Sequence, residues 1–478
     1  MTKWYNDYNP ILNTDSYKYS HYLQYPNDVK RVSAYIEPRW GNGDVMFFGF
    51  QMFLKEYLRQ PIYQADIDEA EEIIKAHGLP FNRMGFERIV NKHGGYWPVI
   101  IQALPEGTVH DHKITQVQVH NIDPELPWVT TFIETAIMRA VWYPCAVATR
   151  SFHAKKILRK WMLKTCDNLN SLNFKLHDFG CRGVSSRESA GIGGCAHLVN
   201  FRGTDTIMAL VYANNYYSEK MAGFSIPAAE HSTITAWGKE GEFDAYTNMS
   251  RQFGEWTMYA MVLDSYDVYN ALENLIPRLY KDGHLNAVVG LRLDSGDPVT
   301  EPARAMNVIA DKFGFTTNSK GYRVLPPYIR IVQGDGVSVE MIDACCDDLH
   351  ACGWSLDNIG TFGMGGELLQ KLDRDTHGYA MKCNAVNKQD EQGWYDISKN
   401  PVGDKNKASK AGRRAVIYDE VYHDVREDCL SNREMALDNL LRVVYENGKL
   451  LNEETFSQIR ARADEHLEQS CLQPEPVS

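Results

Sequence analysis

Short apolar runs recur along the second part of the chain, and each ends in a polar or glycine-rich turn before a stretch compatible with a helix. Repeated strand–turn–helix units are typical of parallel strands joined by helices. The polar turns are spaced evenly rather than gathered at one point, which favours a closed β/α barrel over an open doubly wound sheet. Seven runs show the pattern, at residues 174–176, 198–201, 224–226, 259–263, 287–293, 328–332 and 359–362.

The first 145 residues or so have a different pattern, which predicts short antiparallel strands mixed with helices. A helix is predicted over residues 129–141 that breaks near Pro144 and resumes over 151–162, because proline removes a helix hydrogen bond. The polar, lysine-rich stretch 393–414 predicts a loop. The other predicted elements are a helix at 67–77 and strands at 31–36, 98–104 and 113–120.

These patterns predict an α/β protein with two domains. The repeated units predict an irregular β/α barrel over residues 146–384, and residues 1–145 and 385–478 lie outside it. A chain of 478 residues is long enough for both.

Composition narrows the class of protein. With 44% hydrophobic and 23% charged residues, the chain has the composition of a folded globular protein. Its net charge of −12 argues against a nucleic-acid-binding surface, although a local basic pocket for phosphates remains possible. Ten cysteines without a C-x-x-C pair, a start unlike a secretory signal and no bilayer-length apolar run predict a cytoplasmic protein with reduced thiols.

Aspartates recur at one position of the repeated unit, directly after the apolar run. In β/α barrels the carboxyl ends of the strands hold the active site, so polar residues there indicate chemistry. A single Asp in a turn is more often only a good turn former. Five aspartates that recur in the same part of the repeated unit together favour a site for a phosphorylated sugar: Asp178, Asp205, Asp267, Asp294 and Asp335.

Two glycine-rich turns have the character of phosphate-binding loops. Residues 363–366 (GMGG) and 333–336 (QGDG) let backbone N–H groups approach an anion, the first of them at the predicted start of a helix. Neither matches a P-loop or a full dinucleotide fingerprint. Arg374 and Lys382 are cations that could complete a phosphate clamp.

Three further features allow two interpretations each. Arg292 and Asp294 point to the same face of a strand end, where they could hold a ribose or a pyrophosphate–Mg²⁺ complex or form a structural ion pair. His231 opens a predicted helix, and a lone histidine is more often structural. A basic stretch is either a solvated loop or a place where polyphosphate is attracted; its members are Lys399, Lys405, Lys407, Lys410, Arg413 and Arg414.

Taken together, these segments resemble the nicotinamide phosphoribosyltransferases. The resemblance extends from NTDSYK (13–18) to the basic stretch near Arg413 and so covers most of the chain. Its most specific strings are HDFGCRGVSSRESAGIGGCAHLVNFRGTDT (177–206), PAAEHSTITAWG (227–238), LDSGDP (293–298), IVQGDGV (331–337) and GGELLQKLDRD (365–375).

The resemblance implies a fold, a reaction and an assembly. The fold would be that of a type II phosphoribosyltransferase, an irregular β/α barrel beside a mostly β domain built from both chain ends. Nicotinamide and 5-phosphoribosyl 1-pyrophosphate would give nicotinamide mononucleotide and pyrophosphate in NAD salvage, with Mg²⁺. The protein would be an obligate head-to-tail homodimer with two shared active sites. ATP would stimulate the reaction as a co-substrate.

The resemblance also implies roles for single residues. Phe179 and the partner's Tyr17 would sandwich the pyridine ring, and Asp205 would accept from the carboxamide. His231 would be phosphorylated by ATP and oriented by Asp267. The remaining residues would bind substrate. Arg182, Ser225 and Arg292 would contact it near the ring or ribose, and Asp294, Gly334 and Asp335 would bind the ribose or the pyrophosphate. Gly365 and Gly366 would bind the 5′-phosphate together with the partner's Arg374 and Lys382, and Lys399 and Lys407 would bind the polyphosphate.

The sequence departs from the family at one position, and one residue indicates which base is preferred. Ala380 stands where the family often has a serine, which removes one hydrogen bond near the 5′-phosphate. Asp205 favours nicotinamide, because a ring carboxylate would bring like charges together. The alternatives are a nicotinate or quinolinate phosphoribosyltransferase, a non-catalytic binding protein with the same fold, and a Mg²⁺-dependent barrel enzyme of sugar-phosphate metabolism.

Overall fold

The computed structural model describes residues 5–41, 43–388, 393–403, 407–419, 424–429 and 438–470. The strands are β1 (Arg31–Glu37), β2 (Val45–Met46), β3 (Val99–Ala103), β4 (Val109–His110), β5 (Val117–Asn121), β6 (Leu176–Asp178), β7 (Gly203–Thr204), β8 (Met258–Val262), β9 (Val288–Leu293), β10 (Thr316–Thr317), β11 (Arg323–Val324), β12 (Ile329–Gln333), β13 (Ile359–Met364), β14 (Ala380–Asn387), β15 (Trp394–Asp396), β16 (Arg414–Asp419), β17 (Asp424–Cys429), β18 (Arg442–Glu446) and β19 (Lys449–Leu450).

The α-helices are α1 (Phe50–Phe53), α2 (Gln64–Ala76), α3 (Arg83–His93), α4 (Val129–Phe132), α5 (Glu134–Thr165), α6 (Arg187–His197), α7 (Ile207–Tyr217), α8 (His231–Thr235), α9 (Glu242–Phe253), α10 (Val268–Asn270), α11 (Ile276–Lys281), α12 (Glu301–Phe313), α13 (Val339–Ala351), α14 (Gly366–Leu369) and α15 (Phe456–Ser470). None of these helices combines the length and the apolar composition needed to cross a bilayer.

The chain divides into two compact units, one built from both ends and one from the middle. The terminal unit comprises Met1–Thr149, Asn215–Ser218 and Leu372–Ser478, and the barrel unit comprises Arg150–Asn214 and Glu219–Lys371. The sequence placed the divisions near residues 145 and 385, and the second of these would cut through β14. In the structure the second division lies before Leu372, so the whole of β14 belongs to the terminal unit.

An antiparallel sheet forms the centre of the terminal unit. Its strand order is β15-β14-β1-β5-β3-β18-β19. The strands β1 and β5 are buried along almost their whole length. In β5 the buried residues alternate between valine and polar side chains, so Gln118 and His120 are buried on one face and Val117 and Val119 on the other. β15 pairs with β14 across Trp394 and Asn387, so the prediction of an uninterrupted loop over 393–414 is wrong at this strand.

A parallel sheet forms the barrel unit. Its strand order is β7-β6-β13-β12-β9-β8. Residues 224–228 then bridge its two edges, because Phe224 pairs with Gly203 of β7 and Ala228 pairs with Ala260 of β8, both in parallel. The six strands therefore form a curled half-barrel whose edges are connected only by two isolated bridges of one irregular segment, which agrees with the predicted irregular β/α barrel.

Two of the seven predicted runs are not strands, and a third only begins one. Residues 224–226 form the irregular segment with a single bridge at Phe224, and of residues 174–176 only Leu176 belongs to a strand, β6. The second run that is not a strand is 198–201. Residues 198–201 form the turn that ends α6, where Leu198 donates to the carbonyl of Gly194 and Phe201 to that of His197. Leu198 and Phe201 are fully buried. A short apolar run that is buried on all sides has no periodicity to distinguish a strand from a helix end, and here the helix end is found.

The predicted helix break at Pro144 is also wrong. Helix α5 runs through Pro144 without interruption, and the break between helices comes earlier, at Ile133 between α4 and α5. The proline ring packs on Gly49, where an added Cβ would lie 2.5 Å from the Pro144 Cβ. The flanking Val141 and Cys145 are completely buried. Burial along this helix therefore offsets the hydrogen bond that proline removes.

Candidate active site

The carboxyl ends of the barrel strands meet at one rim, and the candidate residues of the barrel unit lie there. Parallel strands present their carboxyl ends at the same edge, which explains why turns far apart in sequence meet. Phe179 follows β6, Asp205 follows β7, Ser225 lies in the closing segment and His231 opens α8. Arg292 lies in β9 and Asp294 follows it, Gly334 and Asp335 follow β12, and Gly365 and Gly366 follow β13.

The ring of Phe179 has a fixed position on the rim. Its backbone N–H donates to the carbonyl of Met364 at 3.0 Å. The ring lies so close to the backbone of Gly363 that a Cβ there would be 2.0 Å from the ring. The guanidinium of Arg292 lies 5.6 Å from its centroid. These contacts hold the ring of Phe179 in place on the rim, where it is only partly buried.

Asp178 holds the turn that carries Phe179. Its carboxylate accepts from the N–H of Gly180 at 2.7 Å and from the hydroxyl of Thr204 at 3.2 Å. The residue is completely buried, and this burial raises the pKa of Asp178 above its usual value in spite of these donors. The sequence predicted Asp178 among the rim aspartates, and the structure places it beneath the site, where it connects β6 to β7.

Asp205 presents a partly exposed carboxylate beside this ring. Its Oδ1 atom lies 2.9 Å from Nε2 of His177 and accepts from the hydroxyl of Ser225 at 2.6 Å. Burial alone would raise the pKa of Asp205, but the hydrogen bonds from His177 and Ser225 and the charge of Arg292 lower it below its usual value. The carboxylate is therefore held in its charged form.

Arg292 and Asp294 form the pair that the sequence predicted. The Nη2 atom of Arg292 donates to both carboxylate oxygens of Asp294 at 2.8 Å. An added Cβ on Gly334 would lie 2.8 Å from Nε of Arg292 and 2.9 Å from Oδ1 of Asp294. Only glycine at position 334 leaves room for this pair, and the backbone of the 333–336 turn can approach a ligand there.

His231 extends the array from Asp294 to the end of β8. Its Nε2 atom lies 3.2 Å from Oδ2 of Asp294, and its Nδ1 atom lies 3.3 Å from the hydroxyl of Ser265. Asp264 is nearby, with Oδ1 3.9 Å from the same Nε2 atom. That Oδ1 atom is buried and has no hydrogen-bond partner among the described residues.

Asp267, which was expected to orient His231, occupies a different position. Its carboxylate caps α10 by accepting from the N–H groups of Tyr269 and Asn270. Asp264 lies in the same LDSYD turn and was missed by sequence reasoning, because both aspartates follow the same apolar run. Which one faces His231 depends on the path of the turn. The role of Asp267 stays a prediction.

The glycine loop after β13 differs from the expectation in one respect. The helix that follows it, α14, spans only four residues, Gly366–Leu369, whereas the sequence predicted a helix from Glu367 to residue 372. A helix dipole can contribute little here, and the backbone N–H groups of the loop remain as anion donors. Arg150 holds the segment by donating to the carbonyls of Glu367 and Lys371.

The other candidate cations and Tyr17 belong to the terminal unit. The ring of Tyr17 is 56% exposed on a 3-10 turn, Ser16–Leu23. Arg374 is exposed and pairs with Asp375 at 3.3 Å. Lys382 is half-buried; burial first, and then the charges of Arg39 and Lys399, lower its pKa, against the raising effect of Glu134. Lys399 and Lys407 have exposed side chains. Ala380 lies at the start of β14, opposite Glu37 in the antiparallel register with β1.

A further cation of the terminal unit was missed by sequence reasoning. The Nε and Nη2 atoms of Arg39 are buried and have no hydrogen-bond partner among the described residues. The nearest carboxylate to this guanidinium is that of Glu37, 3.6 Å away. Arg39 lies beside Lys382, whose pKa its charge lowers. The EPRW string around it carries no motif, so only the structure shows this pair of cations.

The residues of the basic stretch differ in their surroundings. Lys410 and Arg414 both donate to the buried carboxylate of Glu427, and Arg413 lies 5.0 Å from the ring centroid of Trp394. These three side chains stabilise the terminal unit. Lys405 lies outside the described residues. Exposed Lys399 and Lys407 are the members that fit the expectation of a polyphosphate site. Arg182 is exposed on the Cys181–Gly183 turn of the barrel unit.

Comparisons with known proteins identify relatives of this chain. Residues 174–449 match the model of the "Nicotinate phosphoribosyltransferase (NAPRTase) family", and residues 9–101 match that of the "Nicotinamide phosphoribosyltransferase, N-terminal domain". The chain is 44% identical to a nicotinamide phosphoribosyltransferase of Xanthomonas campestris over 464 residues, 95% of this chain and 98% of the relative. It is 28% identical to one of Acinetobacter baylyi, over 96% of this chain and 98% of the relative.

Solved structures share the fold. A nicotinate-nucleotide pyrophosphorylase from Pyrococcus furiosus superimposes with a TM-score of 0.63 at 16% identity, covering 99% of this chain and all of the other. Human nicotinic acid phosphoribosyltransferase superimposes with a TM-score of 0.59 at 17% identity, covering 97% of this chain and 94% of the other. At these identities the likeness concerns the fold alone, and it confirms the predicted architecture.

Proposed function

The chain belongs to the nicotinate phosphoribosyltransferase family, and we propose that it transfers the phosphoribosyl group of 5-phosphoribosyl 1-pyrophosphate to nicotinamide. The products are nicotinamide mononucleotide and pyrophosphate, in NAD biosynthesis. The observation that carries the choice of base is the Asp205 carboxylate, held ionised beside the ring of Phe179. Its position suits a flat aromatic base that brings a hydrogen-bond donor.

The chemistry explains what the rim residues contribute. The ring nitrogen of nicotinamide forms a bond to the anomeric carbon of the ribose while the bond from that carbon to the pyrophosphate oxygen breaks. Positive charge develops on the ribose and negative charge on the leaving group. Phe179 aligns the base, and Arg292 with Asp294 and Asp335 positions the ribose and its charged substituent. Gly365 and Gly366 supply backbone donors to the 5′-phosphate.

The base selectivity follows from charge. The carboxamide of nicotinamide donates to an ionised carboxylate, whereas nicotinate would place a second negative charge against Asp205. A site that leaves a buried polar or charged group unmatched can discriminate by about 10⁴-fold or more. The alternative, a nicotinate phosphoribosyltransferase, would need a cation in the place that Asp205 occupies.

The assay that tests this proposal compares the two bases. The purified chain is given 5-phosphoribosyl 1-pyrophosphate and Mg²⁺ with either nicotinamide or nicotinate, and mononucleotide and pyrophosphate are measured. We expect nicotinamide mononucleotide and pyrophosphate in equal amounts, and a kcat/KM for nicotinate lower by about 10⁴-fold. Equal use of both bases would refute the role of Asp205, and use of nicotinate alone would favour the alternative.

We further propose that ATP stimulates the reaction through phosphorylation of His231. A ring nitrogen forms a bond to the γ-phosphorus of ATP, the bond to the bridging oxygen breaks, and ADP leaves; water later hydrolyses the phosphohistidine. The contacts of His231 with Asp294 and Ser265 at the rim support this step. Lys399 and Lys407 would attract the polyphosphate. In His231→Ala, ATP should no longer increase mononucleotide formation; persistent stimulation would contradict the proposal.

A head-to-tail homodimer would complete each site with Tyr17, Arg374 and Lys382 of a second copy. The exposure of the Tyr17 ring and of Arg374 supports this arrangement. Sedimentation should give the mass of two chains. Mixing two inactive variants, Tyr17→Ala and Phe179→Ala, should restore about a quarter of the wild-type activity, because one site in four then holds both intact residues. No restored activity in a mixed dimer would exclude shared sites.

Mg²⁺ would enter with the substrate. Among the described residues no group of three or more His, Cys, Asp or Glu side chains is placed to hold a metal ion. Asp294 and Asp335 supply oxygen donors of the kind that Mg²⁺ prefers, and pyrophosphate oxygens and water would supply the others. A cytoplasmic location stays a prediction from the sequence.

A further inference from the structure

The two oxygens of the Asp205 carboxylate have different surroundings. Oδ1 accepts from the Ser225 hydroxyl at 2.6 Å and lies 2.9 Å from Nε2 of His177. Within the chain as described, Oδ2 receives no hydrogen bond. The carboxylate is 48% exposed, so Oδ2 is open to a ligand. Two donors on one oxygen fix the plane of the carboxylate and leave the other oxygen unused.

Both donors are themselves held firmly. The His177 side chain is only 12% exposed, and its ring centroid lies 5.3 Å from that of Phe179. On its other side it meets the backbone of Gly203, where an added Cβ would lie 2.7 Å from Nδ1. Ser225 follows Phe224, whose N–H donates to the carbonyl of Arg202 at 2.7 Å.

We infer that His177 is a positioning and specificity-determining residue for the base: with Ser225 it fixes Asp205 so that Oδ2 accepts from the carboxamide of nicotinamide. This inference rests on the proposed function and assigns the amide selectivity to three residues rather than to Asp205 alone. The Nε2 atom of His177 is the donor, and it acts through Asp205 without touching the base.

Removal of the His177 donor has a defined consequence. Asp205 keeps its charge but can rotate, so the hydrogen bond to the carboxamide is lost for part of the time. The loss appears in the binding of nicotinamide, and the rejection of nicotinate by charge stays. A hydrogen bond to a charged group corresponds to about tenfold or more in affinity. The kcat/KM for nicotinamide therefore falls while that for nicotinate stays the same, and the ratio of the nicotinamide value to the nicotinate value becomes smaller.

Two variants separate this role from simple packing. His177→Gln keeps an N–H donor near the position of Nε2 but loses the ring beside Phe179. His177→Phe keeps the ring but has no donor. We expect His177→Phe to raise the KM for nicotinamide about tenfold or more with a smaller change in kcat. His177→Gln should stay within about threefold of wild type, and Ser225→Ala should shift KM in the same direction as His177→Phe.

The measurements are KM and kcat for both bases and the KM for 5-phosphoribosyl 1-pyrophosphate, with exposed His77→Ala as a matched control expected to equal wild type. If His177→Phe behaves like wild type while His177→Gln is impaired, His177 acts through packing on Phe179 and the inference is wrong. An unchanged ratio between the bases in both variants also overturns it. A wild type that does not select nicotinamide would refute the proposed function. A selective wild type together with a His177→Phe variant that has wild-type kinetics would refute only this inference.

Discussion

The backbone of Gly363 lies directly against the ring of Phe179. A Cβ built on Gly363 would lie 2.0 Å from Cε2 of the ring and 2.3 Å from Cδ2, well inside any van der Waals contact. Gly363 belongs to β13, whereas Phe179 follows the neighbouring strand β6. The absence of a side chain at one position of β13 therefore defines where the ring of Phe179 can lie.

Replacement of Gly363 by alanine should displace this ring. Because the ring aligns the base, we expect Gly363→Ala to raise the KM for nicotinamide and to lower kcat/KM by about 100-fold, while the KM for 5-phosphoribosyl 1-pyrophosphate changes less. Steady-state kinetics with each substrate varied in turn measures this.

Gly360→Ala on the same strand is the matched control. An added Cβ there meets Cβ of Arg330 at 3.2 Å and Cε of Met258 at 3.3 Å, so a shift of a few tenths of an ångström accommodates it. Gly360→Ala should keep near wild-type kinetics. Equal kinetics for the two variants would mean that the position of Phe179 does not control the base.

Much of the rim could be predicted from the sequence, because the turn pattern reports where strands end. Asp294 lies directly after β9 and Asp335 two residues after β12, as that pattern predicted. Asp205 also follows a barrel strand, but that strand is β7 rather than the predicted run 198–201. The pairing of Arg292 with Asp294 also followed from their spacing on one strand. Such features depend on local sequence and on the direction of a strand, and a parallel barrel converts both into a position on the rim.

What the sequence did not predict depends on contacts between distant segments. His177 lies inside β6 rather than in a turn, so nothing in the local pattern pointed to its contact with Asp205. Asp264 and Asp267 share one turn and have the same signal, yet one lies near His231 and the other caps α10. The continuity of α5 through Pro144 required Gly49, about a hundred residues earlier in the chain, as its packing partner.

Asp205→Asn should affect nicotinamide more than any other substrate. The asparagine amide can present an N–H group instead of an oxygen to the carboxamide, and the negative charge that excludes nicotinate is removed. We expect kcat/KM for nicotinamide to fall by about 100-fold and that for nicotinate to rise or stay unchanged, measured with both bases. Exposed Asp311→Asn on α12 controls for the loss of one charge. A parallel fall for both bases would argue against selection by charge.

Asp264 and Asp267 can be distinguished by two kinds of measurement. Asp264→Asn should reduce the ATP stimulation as much as His231→Ala does, because the buried carboxylate of Asp264, whose Oδ1 lies 3.9 Å from His231 Nε2, loses its charge. Asp267→Asn retains an acceptor for the cap of α10 but loses the charge at the start of this helix, so it should lower the free energy of unfolding by about 0.5 kcal/mol. ATP stimulation is measured by product formation, and stability by chemical denaturation. If only Asp267→Asn reduced the stimulation, the sequence-based assignment of Asp267 would be correct.

Gly49 and Gly78 provide a test of the packing against Pro144. Both have a positive φ, +95° and +92°, so alanine introduces backbone strain of about 1–2 kcal/mol at either position. At Gly78 the added Cβ meets nothing within 4 Å, whereas at Gly49 it would lie 2.5 Å from the Pro144 Cβ. Gly49→Ala should therefore lower the free energy of unfolding by about 1–3 kcal/mol more than Gly78→Ala. Equal thermal midpoints for the two variants would show that α5 can move away from Gly49.

Lys175 should make stability depend on pH in the alkaline range. Its ammonium is buried and donates to the carbonyls of Leu356 and Ile359, and burial lowers the pKa of Lys175 to about 8 from a usual value of 10.5. Between these two values the unfolded chain binds a proton that the native chain has lost. The free energy of unfolding therefore rises with pH in this window, by at most about 1.4 kcal/mol per pH unit from this group.

The comparison of wild type with Lys175→Met isolates this contribution. The difference between their free energies of unfolding, from denaturation at pH 7.5, 8.5 and 9.5, should increase with pH in favour of wild type. Methionine keeps the volume of the stem but cannot titrate, so the pH dependence of all other groups cancels in the difference. Exposed Lys312→Met should give a difference that is flat over the same range. A flat difference for Lys175→Met as well would mean that its ammonium keeps its proton in the native state across this window.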